Sequence, residues 1–232
     1  MTLLAMRGLA KAGRLAFGTL ALLALGACSA LRGTATPPTA FYALDNPGLA
    51  VLLQRPVSGS VHTVQAARLP TLIVNPPLAA AGFDSTRIIY VREPHKLDYF
   101  ARSEWVDPPA RMLGPLLVTA IRHSGAFDAV VLAPGAASGD LRLDTEIIRL
   151  QHEFAASPSV VRFTLRATLV NERTRQVLAA QDFERAENAA SDDPYAGVVA
   201  ANRTVQGVLE LLAAFCADTV QKLPPTYRAN AD

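Results

Sequence analysis

Residues 25–28 read Leu-Gly-Ala-Cys, and the stretch before them is composed for removal rather than for folding. Arg7 and Lys11 lie in the first thirteen residues, Arg14 follows, and no acidic residue precedes Cys28. Leu15–Leu25 is an apolar run, well short of the roughly 20 residues a helix needs to span a bilayer core. A basic start, a short apolar run and small residues before a cut define a secretory signal peptide. The cysteine at its end makes it a lipoprotein signal. Leu25, Gly26 and Ala27 form the lipobox. A diacylglyceryl group is expected on the Cys28 thiol, with cleavage after Ala27 and acylation of the new amine. Residues 1–27 therefore drop out of the fold, and whatever folds is tied to a membrane by its first residue.

Residues 28–40 read as a lipidated tether. Ser29–Ala40 is polar, contains two prolines and shows no periodicity. Extended, it reaches at most roughly 40 Å. One acyl chain binds a membrane marginally, whereas two or more anchor it stably. In enteric-type bacteria an Asp after the lipidated Cys favours the inner membrane. Ser29 at that sorting position predicts the periplasmic face of the outer membrane.

The compartment and the charge exclude several classes. The precursor carries a net charge of +2, and losing Arg7, Lys11 and Arg14 leaves −1. No polybasic face remains to hold nucleic acid. The periplasm is oxidising, yet with Cys28 lipidated only Cys216 is left, so no intramolecular disulfide can form. Cys216 sits in an apolar helical run, where a free Cys behaves as a small buried hydrophobe. Stability must come from packing.

The remaining chain reads as one domain, residues 41–223, with a loose tail over 224–232. Val61–Gln65 and Thr71–Val74 are predicted strands, the second stopped by Asn75-Pro76-Pro77. Arg87–Arg92 and Lys96–Ala101 follow as extended segments. Trp105–Gly125 has helical spacing, with Asp107 as cap, Pro108 in the first turn and Ser124-Gly125 as stop. Pro115 conflicts with that helix and predicts a kink or a late start. Phe127–Leu132 is the next strand.

Leu141, Leu143, Thr145 and Ile147 then alternate with charged residues, and the phase slips at Ile147-Ile148, which predicts a β-bulge. Val161–Leu169 and Gln176–Arg185 complete an antiparallel meander with one wet face. A long helix is expected over Pro194–Lys222, capped by Asp193 or Asp192. Val198, Val205, Leu209, Leu212, Cys216 and Val220 give it a core stripe. The class is α/β with a mixed sheet.

The chain offers little chemistry. His62, His95, His123 and His152 are far apart, and no pair has metal-ligand spacing, so no metal site and no cofactor are expected. Gly135–Asp140 lacks a Lys and opens no helix, so it reads as a turn rather than a phosphate loop. No Gly-x-Ser-x-Gly elbow is present. No catalytic residue is assigned, although groups distant in sequence could still converge in space. Trp105, Tyr90, Tyr99 and Phe100 form an aromatic group whose default reading is core.

The order of these features resembles the ABC-type transport auxiliary lipoprotein family, the PqiC-like group. The resemblance rests on the lipobox and tether leading to Phe41-Tyr42-x-Leu44, on Leu72–Val74 and Ile88–Arg92, on the Tyr99…Trp105 stretch running into a helix, and on Ser124-Gly125-x-Phe127-x-x-Val130. It implies a single three-layer domain with a mixed sheet, like the anticodon-binding and TolB N-terminal folds. It implies a non-catalytic periplasmic partner of an MCE-domain protein and, through it, of an ABC permease and ATPase. Such systems carry lipids or other apolar substrates between the two membranes. A homo-oligomer is expected. The alternatives are an envelope assembly lipoprotein without a transporter and a lipid-anchored enzyme. Pro134–Asp140 is favoured over the Trp105 region as the partner surface.

Overall fold

The computed structural model describes residues 37–45, 69–135 and 138–224. The signal peptide, most of the tether, the expected strand Val61–Gln65 and the tail beyond Pro224 lie outside the described residues. In chain order the strands are β1 (Ala40–Tyr42), β2 (Thr71–Val74), β3 (Leu78–Ala79), β4 (Arg87–Val91), β5 (Asp98–Trp105), β6 (Ala129–Leu132), β7 (Leu141–Glu153), β8 (Val160–Asn171) and β9 (Val177–Asn188). Helix α1 (Pro109–His123) falls between β5 and β6, and α2 (Pro194–Lys222) follows β9.

Strand β7 organises the sheet because it is long enough to take three partners along one edge. Its start pairs in parallel with β2, its middle with β3 and its end with β4. Strand β6 adds to β2 in parallel. Strand β5 pairs antiparallel with β4, and β1 closes that side in parallel with β5. The other edge of β7 carries the meander β7–β8–β9, antiparallel throughout. The register of β7 against β8 shifts between Ile147 and Arg149, where the phase slip in the sequence predicts the bulge.

The sheet is mixed and the class α/β, as expected. Of its layers the described residues supply two. Both helices lie on one face and touch each other. Gly114 of α1 lies against the Leu132 side chain, Gly197 of α2 against His152, and Phe215 of α2 meets Phe183 edge-on at 5.4 Å. The third layer implied by the resemblance is not seen among the described residues.

The core lies between helices and sheet. Leu72, Leu113, Leu117, Leu143, Phe163, Leu165 and Leu212 have no solvent exposure. The predicted stripe on α2 is core at every position, from Val198 to Val220. By length and composition α2 could cross a bilayer, but its apolar stripe is used against β8 and β9. Its start is fixed by Asp193, whose carboxylate accepts the Ala196 N–H at 3.0 Å, with Pro194 in the first turn.

Helix α1 starts later than the sequence suggests. Trp105 closes β5 instead of opening the helix, and Pro108 stands at the N-cap without a side-chain hydrogen bond. Asp107 does not cap; it pairs with Arg111 at 3.4 Å. A β5 that pairs with β1 and bonds the Thr86 carbonyl holds Trp105 extended, and this tertiary pairing overrides the helical spacing. Pro115 remains inside α1, on its exposed side, where the unpaired carbonyl one turn back can reach water.

The opposite face of the meander is charged and self-paired. Arg162 bonds Glu153 at 3.0 Å and Glu184 at 2.7 Å. Arg149 and Thr164 also bond Glu184, and Arg166 forks onto Asp182. The interleaved charges therefore make a solvated ladder of cross-strand pairs.

Candidate functional site

Leu25, Gly26, Ala27, Cys28 and Ser29 lie outside the described residues, so the site begins where the chain enters the domain. The entry is built on β1. Ala40–Tyr42 lies beside Ser103–Trp105, and the Val106 N–H donates to the Tyr42 carbonyl at 2.8 Å. Next, the Asp45 N–H donates to Asn202 Oδ1 at 2.8 Å, and Asn202 Nδ2 donates to the Ala43 carbonyl. Leu44 is buried, while the Phe41 side chain is 62% exposed. Successive strand side chains point to opposite faces. Tyr42 accordingly turns to the helices, where its ring lies 6.4 Å from that of Tyr195, and Phe41 turns to the open face.

A recess of about 630 Å³ runs between β9 and α2, lined by Leu178, Ala179, Phe183, Leu211, Phe215 and neighbouring polar groups. Strand β9 has no partner on its outer side among the described residues. The groove combines an apolar wall with the polar side chains Gln181, Asp218, Thr219 and Lys222.

The three described histidines stay apart. His95 is exposed with φ 68°, and His123 is exposed near the end of α1, its Nδ1 2.7 Å from the Thr119 carbonyl. His62 lies outside the described residues. Among the described residues no group of three His, Cys, Asp or Glu could hold a metal ion.

His152 is buried and shares a 2.8 Å hydrogen bond, through Nε2, with the hydroxyl of Ser159. Its Nδ1 has no partner and faces Gly197. Burial lowers its pKa, against the raising influence of Asp192 and Asp193. The pair has the look of a nucleophile and base but not the geometry. Ser159 is wholly buried, so its hydroxyl meets no substrate. No carboxylate orients Nδ1, as a catalytic triad would need. The space beside it is about 10 Å³, at the lower limit for one water. Periodicity does not reveal this pair, because His152 stands near the end of β7 and Ser159 in the connection just before β8, and the fold of that connection brings them together.

The aromatic group divides. Trp105 is 3% exposed and belongs to the core, as its default reading has it. Tyr90 and Phe100 pack together at 4.7 Å and recruit Phe154 and His152. Tyr99 points away and carries Arg87 over its ring at 4.0 Å. Cys216 is fully buried, and burial pushes its thiol pKa up to about 12.

Of the Pro134–Asp140 segment, Ala136 and Ala137 lie outside the described residues. Its last residue, Asp140, places a carboxylate on the Thr71 N–H at 2.8 Å, and its backbone N–H donates to the Thr71 carbonyl. The Asp140 carbonyl accepts the Glu172 N–H. This end of the loop is bolted between β2 and the β8–β9 turn.

Comparison with known proteins follows this geometry. A family model described as the ABC-type transport auxiliary lipoprotein component matches residues 52–213. The crystal structure of protein XCC0632 from Xanthomonas campestris is similar at 24% identity, with a TM-score of 0.65 over 79% of this chain and 98% of that one. A second crystal structure, of an uncharacterized protein, is similar at 13% identity and TM-score 0.56 over 79% and 99%. These two likenesses show the fold. No curated protein matches the sequence.

Proposed function

Since the chain belongs to the ABC-type transport auxiliary lipoprotein family, we propose that it is the lipid-anchored, non-catalytic periplasmic component of an ABC/MCE-type system. That system moves lipids or other apolar substrates between the inner and outer membranes. Cys28 carries the anchor, Leu25–Ala27 direct its processing, and Ser29 sends the protein to the periplasmic face of the outer membrane. The domain works as a homo-oligomer and binds an MCE-domain protein, which links it to the permease and ATPase.

The observation that carries this reading is the succession of a lipobox cysteine, a short polar tether and a domain that the family model matches. The charges of the open face add support, because they are engaged with one another rather than gathered around a recess. Trp105 is withdrawn into the core, so the Pro134–Asp140 end is the stronger of the two partner surfaces weighed from the sequence.

Affinity capture from solubilised envelopes tests the reading. The lipidated protein should recover an MCE-domain protein. Recovery of none, together with a hydrolytic activity lost in His152→Gln, would instead favour the enzyme alternative. Metabolic labelling with a radioactive fatty acid tests the anchor, since Cys28→Ser should carry no label.

A further inference from the structure

The domain carries its unburied apolar side chains unevenly. Nine large apolar residues are exposed among the described residues, and three of them, Phe41, Val106 and Tyr195, sit around β1. Their exposures are 62%, 57% and 64%. They are neighbours by construction. Phe41 lies opposite Glu104, and Val106, just past the end of β5, is hydrogen-bonded to β1 through its backbone. Tyr195 in the first turn of α2 stacks at a tilt beside Tyr42, across the edge of the sheet. Among the described residues β1 is the outermost strand on this side. The three residues therefore form a rim at this sheet edge, with the two tyrosines on the helix side, Phe41 on the open face and Val106 just past the end of β5.

The rim is also where the tether ends. Only residues 29–39 separate Cys28 from β1. A chain of that length reaches at most about 40 Å when fully extended. If Cys28 holds the membrane, β1 is the part of the domain kept at high effective concentration beside the bilayer. Phenylalanine and valine offer apolar surface, and tyrosine offers a ring with a polar tip. Amphipathic aromatic rings favour the headgroup level of a membrane.

We infer that the β1 rim, formed by Phe41, Val106 and Tyr195, is a membrane-contact surface that seats the domain edge-on against the lipid leaflet holding its anchor. This rests on the proposed lipidation of Cys28. It adds an orientation to that anchor, fixing which end of the domain faces lipid. The β8–β9 turn hangs from the edge of β7 opposite to the one that carries β4, β5 and β1. Strands β5, β4 and β7 therefore separate the turn from the rim.

In-cell photocrosslinking on the full chain tests the inference. A benzophenone amino acid is placed singly at positions 41, 106 and 195, and at exposed Arg173 in the β8–β9 turn as the distal control. Fatty-acid labelling of Cys28 is read on the same samples. Phospholipid adducts at the three rim positions, with loss of adduct at 173, are the expected result. A labelled Cys28 with no lipid adduct at the rim, with protein adducts only, or with equal lipid adducts at 173 overturns the contact and leaves the anchor standing. An unlabelled Cys28 overturns the anchor, and the contact with it. A soluble, trypsin-resistant domain in each variant shows that the substituted chain folds, and Tyr195 provides a second element should the residue at 41 disturb β1.

Discussion

The two sides of the sheet are built to different standards. On one side, β7, β8 and β9 run for 12 or 13 residues each and pair almost without interruption. One face of this meander is core and the other is a ladder of mutual ion pairs. On the other side, β4 has five residues and β1 three, and the β4–β5 register shifts between Arg87 and Ile89. That side leaves Phe41, Val106 and Tyr99 in solvent. The long strands absorb register shifts of their own and still engage nearly all of their side chains, Val177 beside the turn excepted. The short strands do not, and what they leave exposed is available to something outside the domain. The contrast separates the part that holds the fold from the part that meets a surface.

The largest effects should fall in the meander. Phe163 is wholly buried on β8 beneath α2. Phe163→Ala removes its ring from a packed site and should cost about 3–5 kcal/mol. Denaturant melts check this. A cost under about 1 kcal/mol would mean that the meander is not the main source of stability. Gly197→Ala strikes where α2 crosses the end of β7. A Cβ there would stand 2.6 Å from His152 Nδ1, so ring or helix must shift, at about 1–3 kcal/mol. An unchanged melt would show that α2 slides freely over β7.

His152 lies on the same seam and makes stability depend on pH. Its folded pKa is depressed by burial below the ordinary 6.5. The unfolded chain therefore takes up the proton first as pH falls. Stability from this group is full above about 6.5 and declines as pH drops from there through the folded value, below which it falls no further. Thermal melts between pH 7.5 and 5 should show the decline, and His152→Gln should flatten it. An equal slope in the variant would assign the acid sensitivity to other groups.

How much of this was legible follows the same division. The meander could be read from its alternation, because each strand is long enough for period two to stand out and each in–out choice is made by one covering helix. The slip at Ile147-Ile148 and the Asp193 cap were visible because a bulge and a cap are local events. The β1–β5–β4 side was read less well. The apolar spacing around Trp105 fits a helix, and it is pairing with β1, more than sixty residues earlier in the chain, together with the bond to the Thr86 carbonyl, that keeps it in a strand. The His152–Ser159 contact and the rim around Phe41 depend on register across strands, which a periodicity cannot carry. The proposed lipobox, Leu25–Cys28, is legible only as a motif.

Within the meander the charged ladder should matter far less than the core beneath it. Arg162→Ala breaks pairs to Glu153 and Glu184 whose side chains are 22% and 41% exposed. Pairs this open to water contribute about 0.2–1 kcal/mol each. Both partners can rehydrate once the guanidinium is gone. The expected loss is about 1 kcal/mol, shrinking in high salt. A loss near that of Phe163→Ala, or one indifferent to salt, would show that the ladder organises the strands rather than merely covering them.

The smallest effect on stability should come from the side that leaves its apolar groups outside. Phe41 keeps 62% of its surface in solvent, so folding buries little of the ring and Phe41→Ser returns little to water. The backbone bonds of β1 to β5 do not depend on that side chain, and Ser is tolerated at an edge. Its melt should match the parent within about 0.5 kcal/mol, as for surface substitutions generally. Val106→Ser should behave alike. If Phe41→Ser instead cost more than about 1.5 kcal/mol, the ring would have to be packed in the folded domain, and the two sides of the sheet would not differ in kind. If it cost nothing while lipid adducts at 106 and 195 fell, the exposed ring would be a contact residue that the fold itself does not need.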